Sequence, residues 1–457
     1  MKNIIPVVML FLVPLYAQSS YTLEWADTTN FSYWDVGQGI AVSTNNEVYV
    51  TGIKWNGSDF DGVVIKYNEN GAILRIDTLD IGTFEEPFDI TLDNSGNVYI
   101  TGFITSGYNY NYGIVKFNSS GNVEWIDTIP NGADPWARSY ITYDGMGNLY
   151  VTGNIVTPDL DIFLVKIDTT GNIIWIRTLD FGHDDDAMSI AYDKNNNFVY
   201  IAGKSNNGAN DDLFIAKYTD SGEVVWTKRI DFGGVDQFWG VAVDHNGYVY
   251  AAGLVHRSNL DIIVMKFNPT NGDLLWQTFF DRGWDDYPRG IVVDDSDYIY
   301  VAGGSHNQNN TDILVLKYDQ SQNLVWADTM DLGNEEHAND IALDQNGNIF
   351  ITGVCYISNR DIITLKYLKA HTGVSEEVSG SFYPLAISTF QIKKLDANYK
   401  VDYPSEISIV DVTGRIIETR RVLGQGTITI KNLKSGVYWV ILNQMGKVYS
   451  RRVVFVR

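Results

Sequence analysis

The sequence predicts an all-β chain: a seven-bladed β-propeller closed by an N-terminal strand and followed by a small C-terminal β-sandwich. Three observations carry this. A unit of about 50 residues recurs, marked by a Thr-Gly or Ala-Gly step at Gly52, Gly102, Gly153, Gly203, Gly253, Gly303 and Gly353, and propeller blades have this period. Each unit holds four short apolar runs separated by turn residues, as at 90–92, 97–102, 113–117 and 122–128, which reads as a four-stranded blade. The seventh unit stops after Ile362-Ile363-Thr364-Leu365-Lys366-Tyr367 without its fourth strand, and Leu23-Glu24-Trp25-Ala26-Asp27-Thr28 supplies that strand from the other end of the chain. Pairing the two closes the ring and removes an exposed sheet edge.

Composition agrees with a folded chain and excludes several classes of function. The 457 residues are 45% apolar and 19% charged, with 41 glycines, as in a globular protein. A formal charge of -23 repels phosphate backbones and anionic headgroups, which argues against nucleic-acid and membrane-surface binding. Cys355 is the single cysteine, so no internal disulfide and no cysteine-based zinc site is expected.

The two ends give an address. Residues 1–17 combine Lys2, an apolar run from Ile4 to Tyr16 with Pro6 and Pro14 inside it, and a small residue at Ala17, the pattern of a secretory signal peptide. The run is too short for a transmembrane span, and no later segment is apolar enough for one. Charge then changes sign: residues 1–368 carry 20 basic and 49 acidic side chains, residues 369–457 carry 13 and 7. This divides the mature chain into a propeller at 18–368, a linker at 369–380 and a sandwich at 381–457. A monomer is expected.

One unit reads Asp312 and Lys317, Trp326, Gly333, Glu336, Asp344, Gly347-Asn348, Phe350 and Thr352-Gly353. This resembles the seven-bladed β-propeller repeat family of secreted bacterial proteins (the SBBP type) over about residues 21–368. The resemblance implies a fold and no activity. In the tail, Asp411-Val412-Thr413-Gly414-Arg415, Leu433-Lys434-Ser435-Gly436-Val437-Tyr438-Trp439-Val440 and the terminal Val453-Val454-Phe455-Val456-Arg457 resemble the C-terminal sorting domain of type IX secretion cargo. That likeness makes Asp411, Gly414, Arg415, Gly436, Tyr438 and Arg457 sorting-motif positions. It implies export through periplasm and outer membrane, contact with the secretion machinery, and release or cell-surface attachment. The Asn-Pro stretch that opens such domains is absent; Tyr383-Pro384 stands there.

Residues that recur in every blade are best read as scaffold, and residues that break the repeat as functional. By that test the seven lysines from Lys66 to Lys366 are scaffold, each stem lying on the neighbouring tryptophan. The aspartates opening turns, Asp93, Asp144, Asp244, Asp294 and Asp344, bond local amides and lack the alternating carboxylates of an EF-hand. Trp34, Trp55, Trp136, Trp239 and Trp284 fall instead in segments assigned to loops of the channel-mouth face, together with Tyr108, Tyr110, Tyr112, Phe238 and Tyr287. Asp35, Glu85, Trp136, Asp185, Asp236, Asp286 and Glu336 occupy one position per blade, an acidic ring that in part caps amides and in part focuses negative potential on the mouth. Just inside, Gln38, Phe88, Ser139, Met188, Trp239, Arg289 and Asn339 occupy one equivalent position and share no residue type.

The candidate ligand-binding set is therefore Gln38, Phe88, Trp136, Asp185, Met188, Asp236, Trp239, Trp284, Asp286, Tyr287, Arg289, Glu336 and Asn339. His183, His256, His306 and His337 map to the same face without metal-ligand spacing, so no metal site and no cofactor is assigned, with calcium left open. No catalytic residue is assigned. The expectation is an exported or cell-surface recognition and adhesion module that binds extracellular glycan or protein at an acidic, aromatic mouth. An extracellular polysaccharide lyase or glycosidase working at the same face is the alternative.

Overall fold

The computed structural model describes residues 21–369 apart from 32, 82–84, 107–108, 131–137, 157–158 and 357–358, and residues 385–455 apart from 392–393, 412–415, 432–435 and 445–446. Residues 1–17, most of the expected linker, Trp136 and Tyr108 lie outside them. Every regular element among the described residues is a strand.

Seven four-stranded antiparallel sheets form the blades of a propeller. Blade 1 is Val36–Val42, Val48–Trp55, Phe60–Tyr67 and Ile73–Leu79, and blades 2 to 6 repeat the order innermost to outermost. Blade 7 takes Glu336–Leu343, Ile349–Tyr356 and Arg360–Lys369 from the end of the array and Tyr21–Thr29 from its start. The last pair is antiparallel, with Ala26 opposite Leu365 and Thr29 opposite Ile362, so the closure expected from the truncated seventh unit is present.

The second and third strands of each blade are buried on both faces between neighbouring sheets, as in the run from Gly62 to Ile65, which accounts for their unbroken Val/Ile/Leu content. Adjacent blades are then fastened by the recurring tryptophan and lysine. In blade 2, Tyr99, Lys116 and Trp125 are cross-strand neighbours in register. Lys116 Nζ lies 5.6 Å from the Tyr99 ring centroid, and both Lys116 Nζ and Trp125 Nε1 donate to Thr169 O of the next blade, each at 3.2 Å. Lys217 and Trp226 share Pro269 O at 2.7 and 3.2 Å, and Lys366 and Trp25 share Glu69 O at 2.8 and 3.0 Å. Arg75, where blade 1 lacks the tryptophan, makes the equivalent bond to Ser119 O at 3.0 Å.

Blade 7 has no hairpin between its third and fourth strands to offer such a carbonyl to blade 6. Tyr21 fills that place. Its ring lies 5.0 Å from that of Trp326, its Oη is 2.7 Å from Tyr300 Oη, and it donates to Gly347 O at 3.2 Å.

In the tail, hydrogen bonding joins five strands, Leu385–Gln391, Lys394–Asp411, Ile416–Lys431, Gly436–Gln444 and Lys447–Phe455, into one antiparallel sheet. Ile416–Lys431 runs as one long strand. It follows its partner across a register shift between Val401 and Ser405, where Pro404 has no N–H to contribute.

Candidate functional site

The innermost strands decide what reaches the channel, and nearly all of them are bulged at the position where the repeat breaks. Pairing shifts between Gly37 and Gly39, Pro87 and Asp89, Ala187 and Ser189, Phe238 and Gly240, Pro288 and Gly290, and Ala338 and Asp340. The residues left over are Gln38, Phe88, Met188, Trp239, Arg289 and Asn339. An extra residue in one strand is unpaired and turned out of the ladder, so each blade sends one side chain of free choice toward the axis. In blade 3 the inner strand is shortened to Tyr140–Tyr143, and Ser139 before it is buried with its Oγ 2.9 Å from Thr101 Oγ1.

The bulge also explains the repeat's marker glycine. A Cβ on Gly203 would stand 1.9 Å from Asp186 O, and one on Gly303 would stand 2.0 Å from Tyr287 O. The bulged strand pushes a carbonyl into the space that any side chain there would need.

The turned-out side chains meet across the axis. The Arg289 guanidinium carbon of blade 6 lies 4.0 Å from the Trp239 ring centroid of blade 5, and that of Arg138 from blade 3 lies 5.8 Å from the same ring and 5.5 Å from Phe88 of blade 2. Gln38 Nε2 donates to Glu86 Oε1 at 3.3 Å, and Asn339 Nδ2 to Gly37 O at 2.8 Å. Met188 is 6% exposed and packs as an apolar group. Tyr287 faces His337 edge-on, 6.5 Å between ring centroids.

Arg138 and Arg289 set the field around His337 and Trp239, and Glu86, bonded to Gln38, lies in the field of Arg138. Burial, followed by the field of Arg289, Arg360 and Arg138, lowers the His337 pKa to about 4, which keeps the imidazole neutral. Burial and the neighbouring Arg138 pull Arg289 down to about 10, so it stays charged at neutral pH. Arg289 Nε and Nη1 and Trp239 Nε1 are buried and have no hydrogen-bond partner. Three donor nitrogens on Arg289 and Trp239 are thus unpartnered beside the Arg138 guanidinium, which also acts on the Glu86 carboxylate.

The acidic positions lie elsewhere. Asp35, Glu85, Asp185, Asp236, Asp286 and Glu336 are at most 1% exposed, beneath the blade-to-blade loops rather than at an open rim. Five of them accept the amide four residues back: Phe31 N at 2.6 Å, Phe181 N and Phe232 N at 2.7 Å, Arg282 N at 2.8 Å and Leu332 N at 3.3 Å. They brace the loops, and the mouth is lined by arginine and aromatic groups.

The aromatic residues divide into separate places. Trp239 belongs to a strand bulge and not to a loop. Trp34, Trp55, Tyr33 and Phe60 pack together beside blade 1, with Arg360 4.3 Å over Trp34. Trp284 is 48% exposed on the loop between blades 5 and 6. Arg138 and Tyr140, which the repeat-breaking test passed over, join the site because the shortened inner strand of blade 3 moves them to the channel. The altered spacing after Gly102 was the available signal. Among the described residues no histidine enters a group able to hold a metal ion.

Comparison with known proteins adds the address. Residues 386–456 match the family of secretion system C-terminal sorting domains, so the chain carries such a domain and is exported to the cell surface or secreted. Asp411 stands opposite Tyr438 in the sheet of this domain, and Gly414, Arg415 and Arg457 lie outside the described residues. No curated protein matches the chain. Among solved structures it is similar to a puromycin hydrolase, an S511A mutant complexed with PGG, at 13% identity and a TM-score of 0.52, over 81% of this chain and 59% of that one. The chain therefore spans less than two thirds of that protein, and at this identity the likeness shows the fold alone. It is one of 478 matching chains, and a fold by itself carries no activity.

Proposed function

We propose that this secreted surface propeller is a recognition module, and that its channel mouth binds an extracellular glycan bearing carboxylate groups. The observation that supports this reading most is the set of unpartnered donors on Arg289 and Trp239. A buried N–H without an acceptor costs about 1–3 kcal/mol, and a ligand oxygen recovers that cost on binding. A guanidinium presents its donors in a fork matched to a carboxylate, while Trp239 offers a flat apolar ring of the kind on which sugar rings stack. Binding of the purified chain to an array of neutral and uronic-acid glycans tests the reading, with Arg289→Ala as the control. Retention of acidic glycans by the wild type alone supports it, and equal retention by the two proteins overturns it.

One arrangement favours a second reading, a polysaccharide lyase. Neutral His337 and protonated Tyr287 stand beside Arg289, and an arginine that neutralises a uronate carboxylate acidifies the adjacent C–H. A neutral imidazole could then take that proton while the glycosidic oxygen leaves as the C=C bond forms. Prolonged incubation with a bound glycan distinguishes the two: release of an unsaturated uronate, seen by its ultraviolet absorbance, marks a lyase, and recovery of intact glycan marks a binding module.

A further inference from the structure

The loops between blades carry a second recurring construction, separate from the channel. At the junction of blades 6 and 7, Asp331 accepts the amide of Gly333 at 2.7 Å, and Glu336 accepts those of Leu332 and Asn334 at 3.3 and 3.1 Å. Asp312, on the third strand of blade 6, completes a group in which each residue brings a carboxylate oxygen within 4.8 Å of the others. Asp312 is 8% exposed, and while its Oδ2 accepts from Asn307 Nδ2 at 3.0 Å, its Oδ1 has no partner. None of the three is in an ion pair with a lysine or arginine among the described residues.

The same group forms at two other junctions, from Asp61, Asp80 and Glu85 and from Asp161, Asp180 and Asp185. Glu85 is 1% exposed and its Oε1 likewise has no partner; a lysine, Lys54, stands 3.6 Å from Asp61 at the edge of this group. The remaining junctions show how the fold otherwise handles the charge. Arg229 pairs with Asp212 at 3.2 Å between blades 4 and 5, and Arg257 pairs with Asp261 at 3.3 Å between blades 5 and 6. Between blades 7 and 1, Asn30 stands where the others have the loop aspartate and donates to Asp361 Oδ1 at 2.6 Å. Between blades 2 and 3, Asn111, Pro130 and Trp136 replace all three acids.

Seven repeats thus solve one electrostatic problem in different ways. Three carboxylates with oxygens within 4.8 Å of one another repel. A guanidinium or an amide removes the conflict at three junctions. At the junction of blades 6 and 7, where all three acids are retained and none is ion-paired among the described residues, an all-oxygen donor set of hard carboxylates is the chemistry of calcium, which takes six to eight oxygens and tolerates irregular geometry. Beside the blade 6–7 group is a pocket of about 410 Å³ lined by Asn309, Asn310, Asp331, Asn334, Glu335 and Tyr356 among others, with room for water ligands and with amide and carbonyl oxygens on its walls.

We propose that the junction of blades 6 and 7 binds a divalent cation, calcium by its ligand chemistry, through Asp312, Asp331 and Glu336. The test is calorimetric titration of the chelator-stripped full chain with calcium, alongside Asp312→Asn and Asp331→Asn. Asp331 is exposed, so its variant is the one most secure in folding, which circular dichroism checks for both. Saturable uptake by the wild type, a thermal midpoint that rises with calcium, and loss of one equivalent or a tenfold weaker site in each variant are expected. Absence of uptake at millimolar calcium, or uptake unchanged in either folded variant, overturns the proposal. Neither result depends on whether the channel binds glycan.

Discussion

Arg289 and Trp239, on the inner strands of adjacent blades, stack with the guanidinium carbon 4.0 Å from the ring centroid, and both keep unpartnered N–H groups in the channel. The stack fixes the plane of the guanidinium, so the directions of its donors are set before any ligand arrives. Hydrogen bonds to a charged group are worth about 1.5–3 kcal/mol, or roughly 10- to 150-fold in affinity. Arg289→Ala is therefore expected to weaken binding of an acidic glycan by that factor. Arg289→Lys should recover only part, since an ammonium keeps the charge and loses the fork. Trp239→Ala should weaken acidic and neutral ligands together, because it removes the stacking face. Calorimetric titration of the three variants with one acidic and one neutral oligosaccharide checks the pattern, and a thermal melt checks that the blades remain folded.

Closure rests on Tyr21, which is 3% exposed between Trp326 and Tyr300. Tyr21→Phe removes the hydroxyl contacts to Tyr300 and Gly347 and should cost about 1 kcal/mol. Tyr21→Ala also leaves a cavity the size of an aromatic ring at an interface that no hairpin carbonyl supports, and should cost about 3–5 kcal/mol. Urea unfolding followed by tryptophan fluorescence measures both, and equal small losses would mean that the strand pairing alone closes the ring.

Gly203 faces the carbonyl of Asp186, 1.9 Å from where a Cβ would stand. Gly203→Ala can be accommodated only if the bulge around Met188 shifts, and overpacking of this kind costs about 1–3 kcal/mol. The same substitution at Gly303 should displace the bulge that carries Arg289, and so lower ligand affinity as well as stability. Denaturant midpoints with a binding titration on each variant separate the two effects.

These two positions show what was legible in the sequence. The glycine step and the irregular position inside it were both visible as pattern, one constant and one variable, and the sheet shows that they are two sides of one bulge. Blade number, closure by Leu23 to Thr28 and the scaffold lysines were readable because a repeat states each packing contact seven times. The sign of the mouth was not. A count of 19 acids against four arginines in the blade-to-blade segments describes composition, whereas strand geometry decides which side chains turn under the loop and which turn to the axis. Asp236 and Trp239 are three residues apart, and the first is buried capping Phe232 N while the second faces the channel. Arg138 was hidden for a related reason: the shortened inner strand of blade 3 breaks the spacing that alignment of the repeats relies on.

The paired carboxylates between blades make stability depend on pH in a direction opposite to that of ordinary surface acids. Glu85 and Glu336 have folded-state pKa values raised from 4.5 to about 7, so between those values the folded chain holds more protons than the unfolded one. Stability is then full below about 4.5, declines as pH rises, and reaches its floor above about 7. His337 acts the other way: its folded pKa is lowered from 6.5 to about 4, so its contribution is present above 6.5 and is lost as pH falls through 4. Comparing the wild type with Asp312→Asn at each pH cancels the histidine. The substitution removes one of the three charges, as Asn111 does in place of the third-strand aspartate between blades 2 and 3. In chelator it should raise the thermal midpoint by several degrees near pH 8 and leave it unchanged near pH 4. Calcium should stabilise the wild type most where the carboxylates are ionised, at the alkaline end of the same range, so that the advantage of Asp312→Asn disappears once the ion is added. A midpoint difference independent of pH would show that the three carboxylates do not share one electrostatic site.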